Sequence, residues 1–131
     1  DSDVRRLVEA ADEAGAFGVS TPVYHASYSG AVKNLLDHLG IAQMVYKPAS
    51  VVGHGGRVRS PQAVDALRSS LRGLLAVVLP TQVVAAAGDY DEDGRVSGPD
   101  ILSRLDRLAH ELVTFTEAIR PARHQLLARY A

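Results

Sequence analysis

The chain has 131 residues, of which 22% are charged and 47% hydrophobic, with a formal net charge of −1 and no cysteine. This near-neutral balance does not favour nucleic acid or an anionic membrane surface as a partner, and the lack of cysteine excludes disulfides, thiolate zinc sites and cysteine catalysis. The longest apolar run, Leu74–Ala87, is interrupted by Pro80 and Gln82 and is too short to span a bilayer. The length predicts one globular domain, residues 1–131. Because Asp1-Ser2-Asp3 is unlike the basic start of a signal peptide, we expect the protein in the cytoplasm.

Amphipathic segments with helical spacing alternate along the chain with short apolar runs that are typical of buried strands. This strict alternation predicts an α/β fold with a parallel sheet covered by helices on both faces. In chain order, the predicted elements are a helix ending at Gly15, a strand at Gly15–Val19, a helix at Ser29–Leu39 closed by Gly40, a strand at Ala49–Val52, a helix starting at Ser60-Pro61, a strand within Val77–Ala86, and a helix at Asp100–Arg120 that Pro121 ends before a tail at Gln125–Ala131.

The loop that joins the first strand to the second helix is the most informative stretch. It begins at Thr21-Pro22, and Ser27 or Ser29 is placed to cap the helix that follows. In parallel sheets, ligands bind at the carboxyl ends of strands, where such loops lie. The spacing alone is equally compatible with an ordinary capped surface loop.

The sequence of this stretch, TPVYHASYSGAVKNLLD, resembles a motif of the NAD(P)H-dependent FMN reductase family. One departure is His25, where many members have Asn. The resemblance implies a flavodoxin-like three-layer α/β/α fold, FMN and NAD(P)H as cofactors, and hydride transfer through FMN to a flavin, a quinone or a similar small acceptor. It is carried by about nine positions in seventeen, namely Thr21, Pro22, Tyr24, Ser27, Ser29, Gly30, Lys33, Asn34 and Asp37.

The resemblance implies that two loops hold the flavin ring, which itself carries the chemistry, so that no catalytic side chain is required. The first loop would supply an apolar wall and backbone donors, and the second would allow close backbone approach through its glycines. In that second loop, His54 would either bond a flavin carbonyl or stay solvated. The implied cofactor-binding residues are Pro22, Val23, Tyr24, His25 and Ser27 in the first loop, and Gly53, His54, Gly55 and Gly56 in the second.

The resemblance covers only the C-terminal part of the family domain. The family's first strand and its phosphate loop have no counterpart in residues 1–131. In a sheet of order 2-1-3-4-5 that strand is central, and without it the strand after residue 15 has an exposed apolar edge. We therefore expect an N-terminal segment outside this sequence, or else a fragment that pairs with another partner.

An acidic stretch, Asp89–Asp100, matches much of the EF-hand calcium-loop pattern, with acids at positions 1, 3 and 5 and Gly94 at position 6. An EF-hand requires a helix before this loop, whereas the preceding residues are predicted to form a strand. We therefore favour an acidic turn that caps the last helix, and we expect no metal site.

The remaining expectations concern partners. Lys33 and Asp37 are one helical turn apart, which favours a local ion pair. The family pattern and the apolar Leu35, Leu36 and Leu39 indicate that this helix lies near the interface of a homodimer or homotetramer. We expect a small-molecule electron acceptor, and neither nucleic acid nor membrane. The alternatives are a flavodoxin-type electron carrier, a flavin-binding protein without NAD(P)H turnover, and a degenerate subunit without flavin.

Overall fold

The computed structural model describes residues 2–129, in which helices and strands alternate as predicted. A single turn of 3-10 helix, Ala87–Asp89, follows the third strand. The main elements are α1 (Ser2–Glu13), β1 (Phe17–Pro22), α2 (Gly30–Asp37), α3 (Ile41–Met44), β2 (Pro48–His54), α4 (Gln62–Gly73), β3 (Val77–Ala85) and α5 (Pro99–Ala128). None of these helices has the length and hydrophobicity needed to cross a bilayer.

The three strands form one sheet in the order β1-β2-β3, and both pairs are parallel. Pro22 lies opposite His54, which in turn lies opposite Ala85. The carboxyl ends of all three strands are therefore level, at one edge of the sheet. The predicted parallel pairing is confirmed, and the first strand continues through Pro22 instead of stopping before it.

Side chains alternate across the sheet and build a core on each face. On one face, Val51 packs with Val64 and Leu67 of α4, in a core that also receives side chains from α1, α2 and α3. On the other face, Val83 packs with Ile101 of α5 in a smaller core. The sheet thus lies between two helical layers, which is the expected three-layer α/β/α arrangement.

Pro80 lies inside β3, where the sequence predicted a break. The strand pairing shifts between Ala49 and Val51 of β2, and Pro80, which has no N–H to donate, is exposed opposite this irregularity. The guanidinium of Arg68 donates to the carbonyl oxygens of Leu79 and Pro80. Since a side chain satisfies these carbonyls, the strand continues through the proline.

Pro121 does not end the last helix, so the predicted helix end at Arg120 is wrong. A proline removes one helical hydrogen bond, that to Glu117, and because Glu117 is exposed its carbonyl can bond to water. Beyond the proline, Arg123 Nε donates to the carbonyl of Val45 at 3.0 Å. This bond holds the helix against the segment between α3 and β2. The predicted tail is helical through Ala128, and its last two residues lie outside the described part.

Two helix starts also differ in detail from the prediction. Ser29 caps α2 as predicted, since its Oγ accepts the N–H of Val32. Gly40 does more than close α2, because its N–H donates to Gln43 Oε1 and opens the four-residue helix α3. Helix α4 has Pro61 at its N-cap, without a side-chain cap from Ser60.

Lys47, just before β2, is a buried cation with a defined partner. Only 3% of its surface is exposed, and its Nζ donates to the carbonyls of Ala11 at 2.7 Å and Asp12 at 3.1 Å. It also lies 5.6 Å from the ring centroid of Phe17. Burial lowers the pKa of Lys47, with a further contribution from Arg123. Lysine thus caps the last turn of α1 and fastens that helix to the sheet.

The connection between β1 and α2 contains a tight two-residue turn. Tyr24 and Ser27 exchange both backbone hydrogen bonds, at 2.9 and 3.0 Å. The two residues between them have left-handed backbones, with φ of 50° at His25 and 62° at Ala26. Turns of this kind favour Asn-Gly, and an alanine with positive φ is strained.

We predict that Lys47→Met lowers the free energy of unfolding by about 2 kcal/mol, because the buried carbonyl of Ala11 and the partly buried carbonyl of Asp12 lose a charged donor. Urea unfolding followed by circular dichroism measures this change. Lys33→Met is the matched control, since Lys33 is exposed and pairs only with Asp37. Equal effects of the two variants would contradict the capping role.

We predict that Ala26→Gly stabilises the protein by about 1 kcal/mol, because glycine adopts a positive φ without steric cost. The same unfolding measurement applies. Ala118→Gly, at an exposed interior position of α5, should have the opposite sign, with a loss of about 1 kcal/mol. A destabilised Ala26→Gly protein would show that the turn is not strained.

Candidate functional site

Two loops meet at the carboxyl edge of the sheet. The first loop, residues 22–28, leaves β1, and the glycine loop, residues 54–60, leaves β2. The N–H of Val23 donates to the carbonyl of His54 at 2.8 Å, which extends the strand pairing by one more bond. The structure therefore brings the two sets of predicted cofactor-binding residues together at one edge.

The first loop is held in shape by a buried hydroxyl. Thr21 is 1% exposed, and its Oγ accepts the N–H of Ser29 at 3.0 Å and donates to the carbonyl of Pro22 at 2.9 Å. The hydroxyl of Tyr28 bonds that of Ser70 on α4 at 2.8 Å. Bonds within the chain therefore fix both ends of the loop.

The tip of the first loop is open to solvent. Tyr24 is 60% exposed, and His25 is also exposed, whereas Pro22 and Val23 are half-buried. The backbone N–H groups of His25, Ala26 and Tyr28 have no acceptor within residues 2–129. The loop therefore presents an aromatic and apolar surface beside unpaired donors.

The structure gives an internal reason for two of the predicted glycines. A Cβ on Gly53 would lie 2.9 Å from Val64 Cγ1, and one on Gly55 would lie 2.3 Å from the carbonyl oxygen of Val58. Packing within the chain is therefore one reason for glycine at both positions, and their contact with a cofactor stays a prediction. Gly56 is different, because it is exposed and a Cβ there would meet nothing within 4 Å.

His54 is placed against an aromatic side chain that the sequence analysis did not identify. Its ring meets that of Tyr90 edge-on, with centroids 5.0 Å apart. Its Nδ1 is buried and has no hydrogen-bond partner in the described part of the chain. Tyr90 belongs to the acidic stretch. Since α4 and β3 separate it from His54 in the sequence, no local pattern indicated this contact.

Two carboxylates of the calcium-like pattern are engaged by the chain itself. Asp89 is 6% exposed, accepts the N–H of Ala86 at 2.8 Å and pairs with Arg59 of the glycine loop. The bond from Ala86, followed by that from Arg59, lowers the pKa of Asp89, which is therefore ionised at neutral pH. Asp91 accepts the N–H groups of Asp93 and Arg95. Among the residues described, no three acidic or histidine side chains are grouped to hold a metal ion.

This geometry suits a flat, polar aromatic ring. The ring needs backbone donors at its edge and an apolar or aromatic surface beside it, and the first loop offers both. Open space beside Gly56 adds room on the side of the glycine loop. The residues present therefore fit a flavin, and proton transfer by a protein side chain is not needed for flavin chemistry.

Comparisons with known proteins support the same class. The profile of the NADPH-dependent FMN reductase family matches residues 1–91. The FMN-dependent NADPH-azoreductase of Staphylococcus aureus (strain USA300) is 37% identical over 94 residues, which are 70% of this chain and 50% of that protein. This chain thus spans about half the length of the curated relatives that it matches.

Solved structures show the same fold. An oxidoreductase from Corynebacterium diphtheriae has a TM-score of 0.78 and 29% identity, over 90% of this chain and 64% of that one. The flavoenzyme NAD(P)H:(acceptor) oxidoreductase of Paracoccus denitrificans has a TM-score of 0.65 and 26% identity, over 89% and 67%. With its flavodoxin-like fold, and with most of its length matched by the family profile, this chain belongs to the NADPH-dependent FMN reductase family.

Proposed function

We propose that the protein containing this chain binds FMN and passes a hydride from NAD(P)H to a small acceptor such as a flavin, a quinone or an azo dye. The observation that carries the proposal is the first loop, where the family motif coincides with unpaired backbone donors at a strand end. The FMN-dependent NADPH-azoreductase activity of the Staphylococcus aureus relatives supports it. Because this chain spans only half of those relatives, the proposal concerns the whole protein.

Bound FMN would supply the redox chemistry, accepting and releasing the hydride. The task of this chain is to hold and orient the ring. Pro22, Val23 and Tyr24 provide the wall, and the N–H groups at His25 and Ala26 provide donors.

We also propose that another strand completes the sheet beside β1. Within residues 2–129, β1 pairs with β2 alone. A largely apolar groove of about 390 Å³ runs along its free side, between α1 and α2, with Phe17 and Leu35 among its lining residues. In the family this is the position of the first strand, whose following loop binds the FMN phosphate, so we place the missing phosphate contacts at the same edge of the sheet.

A homodimer or homotetramer in the cytoplasm is part of the proposal. Leu36 and Leu39 are buried in this chain and Leu35 lines the groove beside β1, whereas Ile41 of α3 is 50% exposed. Ile41 is therefore available to a partner subunit. Lys33 and Asp37 form the local pair expected from their spacing, at 2.7 Å, so the interface need not use them.

The experiment that tests the function is an absorbance spectrum of the purified full-length protein, before and after anaerobic addition of NADPH. Flavin bands that bleach with NADPH, and return when a quinone is added, are the expected result. A protein without flavin bands, even after incubation with FMN, would refute the proposal. A flavodoxin-type carrier, the second candidate, would bind FMN but not oxidise NADPH over many turnovers.

We predict that Tyr24→Ala weakens FMN binding about tenfold to a hundredfold, a cost of about 1–3 kcal/mol, through loss of the exposed aromatic wall. Fluorescence titration with FMN measures it. Because Tyr24 is exposed, the unfolding midpoint should stay unchanged. Phe115→Ala, which removes an exposed aromatic residue from α5, is the matched control and should leave the affinity as in the parent. Unchanged affinity in Tyr24→Ala would remove the first loop from the site.

We predict that the full-length protein sediments as a dimer or larger symmetric assembly at tens of micromolar, with a lower association constant in Ile41→Lys. The physical reason is that a lysine at this exposed apolar position opposes burial against a partner. Analytical ultracentrifugation of both proteins decides the matter. A monomeric parent would contradict the predicted assembly.

A further inference from the structure

The acidic stretch after β3 lies against the glycine loop. Backbone bonds join the two at the strand ends: the N–H of Gly55 donates to the carbonyl of Ala85 at 2.8 Å, and the N–H of Ala87 donates to that of Gly56 at 2.7 Å. The edge-on contact of His54 with Tyr90 adds an aromatic contact. The start of the glycine loop is therefore fixed by the segment that follows β3.

Beyond Gly56, the glycine loop has little else to hold it. The backbone N–H groups of residues 57–60 have no acceptor in the part of the chain that the structure describes. Arg57 and Val58 are exposed, and Ser60 bonds only to the neighbouring Gln62. The side chain of Arg59, which reaches Asp89, is the contact that connects this part of the loop to another element.

Asp89 is built to receive Arg59. Its carboxylate is fixed by the N–H of Ala86, and its backbone carbonyl accepts the N–H groups of Ser97 and Gly98 at 2.9 and 3.3 Å. A Cβ on Gly98 would lie 3.1 Å from Asp89 Oδ1, so a glycine leaves room for the carboxylate. Asp89 is thus a rigid, buried anion, whereas Arg59 is half exposed on a loosely held loop.

We propose that Asp89, acting through Arg59, is a positioning residue that fixes the glycine loop at the flavin site. The inference rests on the proposed function and adds to it a role for the acidic stretch. Held in this way, the loop presents the unpaired N–H groups of Gly56 and Val58 in one arrangement, and a ligand need not order them on binding. Asp89 and Arg59 need no contact with the flavin for this role.

The test compares Arg59→Met with Arg57→Met in the full-length protein. Both variants remove one guanidinium from the same loop and keep most of the aliphatic stem, but Arg57 forms no hydrogen bond or ion pair with the described residues. Two quantities are measured: hydrogen–deuterium exchange of residues 54–60 without FMN, and FMN affinity by fluorescence titration. Arg59→Lys, which keeps the charge, serves as the conservative variant.

Arg59→Met should speed exchange in residues 56–60 several-fold and weaken FMN binding about tenfold, whereas Arg57→Met should change neither. Arg59→Lys should keep most of the slow exchange and most of the FMN affinity of the parent. Adding Asp89→Asn to Arg59→Met should change either quantity little beyond the effect of Arg59→Met alone. If both arginine variants weakened binding equally and left exchange unchanged, a general charge effect would replace the proposal. Unchanged exchange in Arg59→Met would also overturn it. A parent protein without FMN affinity would refute the proposed function separately, since the exchange comparison is made without FMN.

Discussion

The parallel pairing of β1 with β2 is the constraint on which the candidate site depends. Its register sets Pro22 opposite His54, and the bond from Val23 to the His54 carbonyl carries the pairing one step beyond the strands. A slip of one residue would reverse the two faces of β1 and move the first loop away from the glycine loop. Phe17 and Val19 of β1 pack against the larger core, so a slip would turn them away from it, and this core also sets the position of the site.

Around this edge the chain combines rigid anchors with locally unfavourable backbone. Thr21 and Ser29 close the base of the first loop inside the protein, while its tip carries His25 and Ala26 in left-handed conformations. Each such residue costs about 1–2 kcal/mol. The paired bonds between Tyr24 and Ser27 and the buried base offset that cost. Strain that is held in place by its surroundings is typical of ligand-binding loops.

Much of the fold could be predicted from the sequence because it depends on local patterns, and the location of the site was implied by the resemblance of the first loop to the family motif. Short apolar runs between amphipathic helices specify a parallel sheet, and Ser29 caps its helix through contacts three residues away. Predictions failed where distant contacts override local preference. Pro80 and Pro121 are tolerated because Arg68 and Arg123 supply contacts across the fold, and nothing near either proline in the sequence indicates this.

The glycine loop shows the same limit at the site itself. From sequence, three glycines in four residues indicate either a sharp turn or the close approach of a ligand, whereas the structure separates them into two groups. Gly53 and Gly55 are enclosed by Val64 and by the loop's own carbonyl, and Gly56 faces open space. Gly53 and Gly55 let the loop take its shape, and Gly56 alone of the three leaves open space that a ligand could occupy.

That division also explains how the site can bind a ligand at low entropic cost. Ordering a flexible loop on binding costs free energy that is subtracted from the affinity. Here Thr21 closes the first loop through its hydroxyl bonds. The glycine loop is bonded at Gly55 and Gly56 to the segment that follows β3. The unpaired N–H groups at the tips are thus held near fixed positions while water bonds them, and a ring that replaces that water gains its hydrogen bonds without having to build the site.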